Sequence, residues 1–431
     1  MGSRESHKRQ GERGKLLEFS GGSASREGGS LLSRLKETGR IMPGVIAGAA
    51  DLDPAAVLTA TVAGVSFGLS VAWVVLLCIP VLHTVFSVAA RIGQQTRQGL
   101  VELVRIHYGQ RFALALALLM IVVNGTMIVA DVMAVSDGLS LILRQPTIFF
   151  SAAVGFTVWY LLSTAGYPRA VKTLAWLSTL LLAYVVGAFL VTNSLTGLLK
   201  GIFLPEISAT RAFALAVIAV FGSLLTPDII VWQTSARRDA AQAGAPPPSA
   251  HSTAGCAVAS LISLSVIITA STLKVGDPAN ITTRTAAEAL GVFGAAGPLI
   301  FSIGIIGSGL VALPILAASL CFSIAEAVNW KSGLNTPPWQ ARQFYLLLCG
   351  LLIIAVGLSY TGINTVKALY WSQIFAGILV VPLLVFIFLL SNHSGILRER
   401  NTRWENSWLI GAISGMTLAT GLVLWNLIKA L

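Results

Sequence analysis

Charge is what this sequence has least of. Asp, Glu, Lys and Arg make up 11% of its 431 residues, against 55% hydrophobic residues and a mean hydropathy of +0.79. A soluble core of this length needs far less apolar material, so the imbalance excludes a water-soluble globular protein and places most of the chain in hydrocarbon. Histidine and cysteine are also scarce. Of the five histidines only His83 falls inside an apolar run, and the four cysteines (Cys78, Cys256, Cys321, Cys349) show no C-x-x-C spacing. These absences exclude a clustered zinc site and leave no Ser/His or Glu/His constellation for a membrane-embedded enzyme, so no catalytic function and no cofactor are expected. His83 and the cysteines read as packing residues. The first 40 residues lack the apolar core of a signal peptide; they are polar and Gly/Ser-rich and read as a disordered tail.

What the chain does have is a series of apolar runs of about 20 residues, the length needed to cross a bilayer. They lie near 43–67, 70–90, 113–143, 148–165, 172–194, 212–234, 254–273, 296–328, 343–360, 365–391 and 407–428, and are numbered spans 1 to 11. The expected fold class is therefore an all-α polytopic membrane protein with about eleven transmembrane helices. Basic residues orient it: with a cytoplasmic N-terminus, 22 of the 29 Lys and Arg fall in the tail or in loops on the same side. The positive-inside rule thus predicts a cell-membrane protein, in a bacterium the inner membrane, with its N-terminus cytoplasmic and its C-terminus outside. Much of the net charge of +11 is this topology signal, so no nucleic-acid partner is expected. The organisation expected is a cytoplasmic tail over 1–40, a core over 41–392 carrying spans 1 to 10, and a loop with span 11 over 393–431.

A carboxylate in hydrocarbon costs several kcal/mol, so each intramembrane acid is a functional candidate. The deep ones are Asp51 and Asp53 in span 1, Asp131 in span 3 and Asp228 in span 6; Asp137 and Glu326 lie near span ends and read as interfacial. "AGAADLDPAAVLTA" (47–60) and "GSLLTPDIIVWQ" (222–233) each join a proline to an acid inside an apolar span. Pro54 and Pro227 each remove an N–H and free a carbonyl four residues back, at Ala50 and Ser223. Breaks of this kind five spans apart are the pattern of an inverted repeat with a midplane binding site. Freed carbonyls and carboxylates there would form an oxygen-rich cage for a cation. Asn124 and Gln233 could line the pathway, although hydrogen bonds between helices are an equal reading. "RIGQQTRQGLVELVRIHYGQRF" (91–112) is expected to lie along the cytoplasmic face as an amphipathic segment.

Three segments in order, "PGVIAGAADLDPAAVLTATVAGVSFG", "SVAARIGQQTRQGLVELVRIHYG" and "NGTMIVADVMAV", resemble the natural-resistance-associated macrophage protein (NRAMP) divalent-metal transporters, especially their bacterial magnesium-transporting branch. The resemblance runs from about Pro43 to Asn392. It implies a LeuT-like fold, with spans 1–5 and 6–10 as inverted repeats and metal held where spans 1 and 6 break. The family's DPGN falls on Asp53, Pro54, Ala55 and Ala56, which keeps the acidic ligand and loses the amide. Its helix-6 ligands fall on the Ser223 carbonyl, on Thr226 in place of a thioether and on Asp228 in place of a histidine. Its SQ pair is Ser372 and Gln373, whose amide would approach the ion. Asp131 matches the family's proton-path aspartate, but the following glutamate is replaced by Ala134. Asp51 would act as a cavity-lining acid.

Carboxylate, hydroxyl and carbonyl oxygens suit hard cations, whereas a thioether selects softer ones. The function expected is thus uptake of divalent cations, Mg²⁺ and/or Mn²⁺, by alternating access with weak or no proton coupling. The alternatives are a proton-coupled Mn²⁺/Fe²⁺ symporter, a trivalent aluminium carrier, and an organic-solute transporter on the same fold. The partners expected are the metal ion as substrate and the lipid bilayer.

Overall fold

The computed structural model describes residues 52–163, 167–192, 194–242, 251–273, 281–330 and 340–428. The tail, Ala50 and Asp51 lie outside the described residues. Among the described residues there is no strand: the chain is helical throughout. In chain order the helices are α1 (Pro54–Phe67), α2 (Ala72–Thr96), α3 (Leu100–Tyr108), α4 (Gln110–Leu143), α5 (Ile148–Ser163), α6 (Tyr167–Ser178), α7 (Ala183–Val191) and α8 (Leu195–Phe203). They continue with α9 (Arg211–Leu224), α10 (Pro227–Gln242), α11 (His251–Ala270), α12 (Thr283–Ala287), α13 (Gly297–Val328), α14 (Arg342–Ser359), α15 (Thr365–Asn392) and α16 (Arg403–Ile428).

Within the described residues, each of the eleven expected spans overlaps helix. Seven helical runs among the described residues are long and apolar enough to cross a membrane, and one of them, Pro54–Thr96, holds spans 1 and 2; Ile148–Ser163 and Gly255–Ala270 are apolar but shorter. Span 6 is two helices, α9 and α10, as its proline requires. Span 5 is interrupted as well: α6 and α7 are joined by a 3₁₀ turn over Thr179–Leu182 that no proline announces. The amphipathic expectation for the loop after span 2 holds in α3, where Leu100, Val101, Leu103 and Val104 are buried while Ile106 is half exposed.

The core is organised around α4 and α13, the most extensively paired helices. Asn124 on α4 donates to Ser319 Oγ (2.9 Å) and to the Leu316 carbonyl (3.3 Å), so an interhelical hydrogen bond fixes their register. In an apolar surround such a bond replaces an otherwise unmet polar group. α1 threads between this pair and α11, α9 and α15. At Gly309 on α13 an added Cβ would meet Pro54 Cγ at 3.0 Å and would press on Val135, so α13 lies flush against the first residue of α1.

Candidate cation site at two helix breaks

Both breaks begin with a backbone that has run out of donors. Asp53 has extended dihedrals (φ −68°, ψ 165°), and its Oδ1 accepts from the Ala56 N–H at 2.6 Å, which makes it the N-cap of α1. Pro54 follows at the first helical position, where no N–H is needed. At the second break Leu225 (φ −111°, ψ 73°) leaves α9 after returning its N–H to the Phe221 carbonyl at 2.9 Å. Pro227 opens α10 and cannot donate to the Ser223 carbonyl four residues back. Asp228 then falls in the first turn of α10. A helix N-terminus carries partial positive charge and would repel a cation; here each of the two has a carboxylate to offset it.

The two breaks meet. Asp53, Ser223, Thr226, Asp228 and Gln233 line one cavity of ≈ 70 Å³, with Trp232 beside them and Leu316 of α13 on the far wall. Both acids are buried, Asp53 at 6% exposure and Asp228 at 3%. Asp228 Oδ1 and the Thr226 hydroxyl have no hydrogen-bond partner among the described residues. Polar atoms left so inside a protein are costly unless something occupies the space they face. Among the described residues no three His, Cys, Asp or Glu side chains gather at metal-holding distance. Any ion in this cavity therefore draws on two carboxylates at most from these residues, with hydroxyl, carbonyl, amide and water oxygens for the rest.

The other candidates separate into two groups. Asp131 does not line the cavity, although it lies near enough to feel the charges of Asp53 and Asp228; it is buried, and both its oxygens lack a partner among the described residues. Gln373 is fully buried with neither amide atom partnered among the described residues, and its carbonyl lies where a Cβ on Gly222 would be, one residue from Ser223. Gln233 is at the cavity wall. Asn124 is not: its amide nitrogen donates to Ser319 and Leu316, the helix-joining reading, while its Oδ1 has no partner among the described residues. His83 is exposed and away from the cavity, while Cys78, Cys256 and Cys321 are buried in helix packing.

Two acids assigned to interfaces prove structural. Glu326 is 4% exposed, too buried for an interfacial role, because Arg238 and Ser235 of α10 reach it from a helix the sequence places 90 residues earlier. Asp137 is half-buried and accepts from Thr147 (2.8 Å) and Thr283 (2.7 Å), clasping α12 to α4. Trp232 escaped the sequence reading; its signal was its place one helical turn beyond Asp228, on the same face. A second, wider space of ≈ 470 Å³ opens toward the C-terminal end of α1, bounded by Val62 and Ser66, by Leu215 of α9, and by Lys367, Tyr370 and Trp371 of α15.

The model of a family described as natural resistance-associated macrophage protein-like matches residues 44–426. The chain belongs to this family. Among its relatives, a divalent metal cation transporter MntH of Granulibacter bethesdensis is 23% identical over 89% of this chain and 87% of its own. Another MntH, of Bacillus subtilis, is 23% identical over 86% and 88%. The relatives of this Nramp-family chain are named as ion transporters, and it is no enzyme. Among solved structures, the manganese transporter of Eremococcus coleocola superposes with a TM-score of 0.68 at 14% identity, covering 93% of this chain and 88% of that one. MhsT in complex with L-phenylalanine superposes with a TM-score of 0.58 at 15% identity, over 89% and 97%. The Nramp-family chain therefore has the LeuT-like fold that the resemblance implied.

Proposed function

We propose that this protein carries divalent metal cations across the cell membrane by alternating access, with Mg²⁺ and Mn²⁺ as its substrates. The observation that carries this is the cavity shared by Asp53 and Asp228 at the two helix breaks, whose polar lining among the described residues is oxygen- and amide-bearing, with no thioether or imidazole. Such a donor set favours hard cations. Its size points the same way: a space of about 10–15 Å³ open to water centres holds one water, so ≈ 70 Å³ accommodates an ion with a few of its waters. Mg²⁺ gives up water reluctantly and is commonly held by one or two carboxylates plus water. An organic solute fits poorly, since such ligands occupy pockets of roughly 300 Å³ or more. The relatives named as divalent metal cation transporters support the same substrate class.

We place the N-terminus and the Arg91, Arg105 and Arg238 ends of the helices in the cytoplasm, from the distribution of basic residues. On that orientation the vestibule bounded by Lys367 and Tyr370 opens outward, and ions descend from it to the cavity. A doubly charged ion entering a negative interior gains about 4.6 kcal/mol per 100 mV, which needs no proton to drive it. With Ala134 and Asp228 in place of the family's glutamate and histidine, the membrane potential is the main driving force. A proton-coupled Mn²⁺/Fe²⁺ symporter is the second reading, favoured by the buried carboxylate of Asp131, which has no partner among the described residues. The test is uptake of Mg²⁺, Mn²⁺, Fe²⁺ and Ca²⁺ into proteoliposomes. Asp53→Ala and Asp228→Ala are expected to abolish it; equal transport by both variants and the parent would overturn the site.

A further inference from the structure

We infer that Thr59 and Gln373 form a polar collar between the outer vestibule and the cavity, where the Thr59 hydroxyl accepts a hydrogen bond from the water shell of the incoming ion and thereby favours ions that keep their water. The inference rests on the proposed transport of a divalent cation and adds a residue that the helix-break site does not contain.

Thr59 behaves unlike four other buried threonines within helices, although Thr420 Oγ1 in α16 is likewise buried without a partner among the described residues. Thr61, Thr84, Thr234 and Thr269 each return their hydroxyl to the carbonyl four residues back, at 2.8–3.0 Å. Thr59, at 0% exposure, does not, and its Oγ1 has no hydrogen-bond partner among the described residues. Thr226, which lines the cavity, shares this condition. A hydroxyl buried without a partner is costly, and the usual local remedy in a helix was open to it.

The helix phase says where Thr59 stands. α1 turns Gly64 to α11, where an added Cβ would meet Ala270 Cβ at 2.9 Å. At about 100° per residue, Val62, Ser66 and Thr59 then lie about 160°, 200° and 220° round the helix from that contact. Val62 and Ser66 line the vestibule, so Thr59 occupies the same face one turn nearer Asp53. On α15 the equivalent step takes Tyr370, at the vestibule, to Gln373, one turn deeper. Gln373 is at the level of the cavity rim because its carbonyl packs on Gly222, the neighbour of Ser223. Its amide oxygen and nitrogen are both buried without partners among the described residues.

Water bound to a divalent cation is a strong donor and needs acceptors. At the site itself Asp53 Oδ1 is already engaged by the Ala56 N–H, and the remaining oxygens of Asp53, Asp228 and Thr226 face the ion and its inner waters. The Thr59 hydroxyl and the Gln373 amide oxygen supply acceptors on the outer side. An ion that strips its waters readily gains less from such groups than Mg²⁺, which holds them tightly. Thr59 is thus a specificity-determining residue acting through the ion's waters.

The experiment measures initial uptake of Mg²⁺ and Mn²⁺ into proteoliposomes by the parent, Thr59→Val, Thr59→Ala and Thr59→Ser, with the melting temperature of each purified protein. In Thr59→Val the KM for Mg²⁺ is expected to rise about tenfold with Vmax and melting temperature near the parent's, the change for Mn²⁺ to be smaller, and Thr59→Ser to match the parent. Should Thr59→Val fail to fold, Thr59→Ala carries the same expectation. An unchanged KM in both, an equal shift for the two ions, or a loss of Vmax and melting temperature with KM intact would overturn the collar while leaving the transport function standing. A parent that moves neither ion would overturn the functional reading, and the collar with it.

Discussion

Arg238 Nη1 lies 2.8 Å from Glu326 Oε1, with both side chains buried, so an ion pair ties α10 to α13 away from water. Ser235 donates to the same oxygen at 3.0 Å, and Arg105 Nε of α3 donates to the Glu326 carbonyl at 3.0 Å. The Arg238 guanidinium also sits over the Phe322 ring, 5.4 Å from its centre. Removing one partner of such a pair strands the other charge in a low-dielectric place, which typically costs about 3–5 kcal/mol. Glu326→Leu is therefore expected to lower the melting temperature markedly, and the double variant Arg238→Met/Glu326→Leu to recover most of the loss. Thermal denaturation of the purified variants checks this; a double variant no better than the single one would contradict it.

Asp53 has two separable duties. As N-cap it holds the first turn of α1, worth about 1 kcal/mol, a task that Asn performs as well as Asp. As a carboxylate it supplies charge to the cavity, which Asn does not. Asp53→Asn is expected to lose uptake while keeping the parent's melting temperature, and Asp53→Ala to lose both. Uptake in proteoliposomes set beside thermal denaturation separates the two.

On the proposed reading, Thr226 decides how soft an ion the cavity accepts. Thr226→Met restores a thioether to a wall made of oxygens, so competition by Mn²⁺ and Fe²⁺ against Mg²⁺ uptake should strengthen several-fold. An unaltered order of competition would argue that Thr226 does not touch the ion.

Close helix approach at one level of the site leaves no room for side chains. A Cβ on Gly222 would strike the Gln373 carbonyl and the Gly377 nitrogen, and one on Gly377 would strike the Ile218 carbonyl. Gly222→Val and Gly377→Val are expected to yield aggregated protein on size exclusion. Gly350→Ala in α14, where nothing lies within 4 Å, should instead be stable, with a gain of up to about 1 kcal/mol from helix propensity.

Energy coupling separates the two transport readings. With the interior made negative by a potassium diffusion potential, Mg²⁺ and Mn²⁺ uptake should accelerate, and the vesicle lumen should not acidify as metal enters. Acidification in step with uptake would favour the proton-coupled reading and a working role for Asp131.

The sequence made the breaks legible because proline acts locally: Pro54 and Pro227 state where hydrogen bonding stops, and Asp53 and Asp228 beside them state that the gap is polar. That the two gaps share one cavity was legible only through five-span spacing and resemblance. Glu326 was misplaced at an interface because its partner, Arg238, is brought to it by tertiary packing. Asn124 likewise offered no clue of its own, since an amide that lines a pathway and one that joins two helices look the same until Ser319 is seen opposite. Span 5 concealed its 3₁₀ turn because no residue from Thr179 to Leu182 forbids regular helix. Thr59 is the opposite case: its sequence context is ordinary, and it stands out only through a hydroxyl unpartnered among the described residues, combined with its place on the vestibule face of α1.

The Asp53 cap has a kinetic corollary. One oxygen of that carboxylate is tethered to backbone before any ion arrives, so the side chain's rotation is already frozen when its other oxygen is needed. On the proposed reading, capture then requires little rearrangement on the α1 side, and Asp53 itself does little to sort hard ions by size. On the same reading, ions that have passed Thr59 and Gln373 are then told apart by their lifetime in the cavity, set across the gap by Asp228 and Thr226.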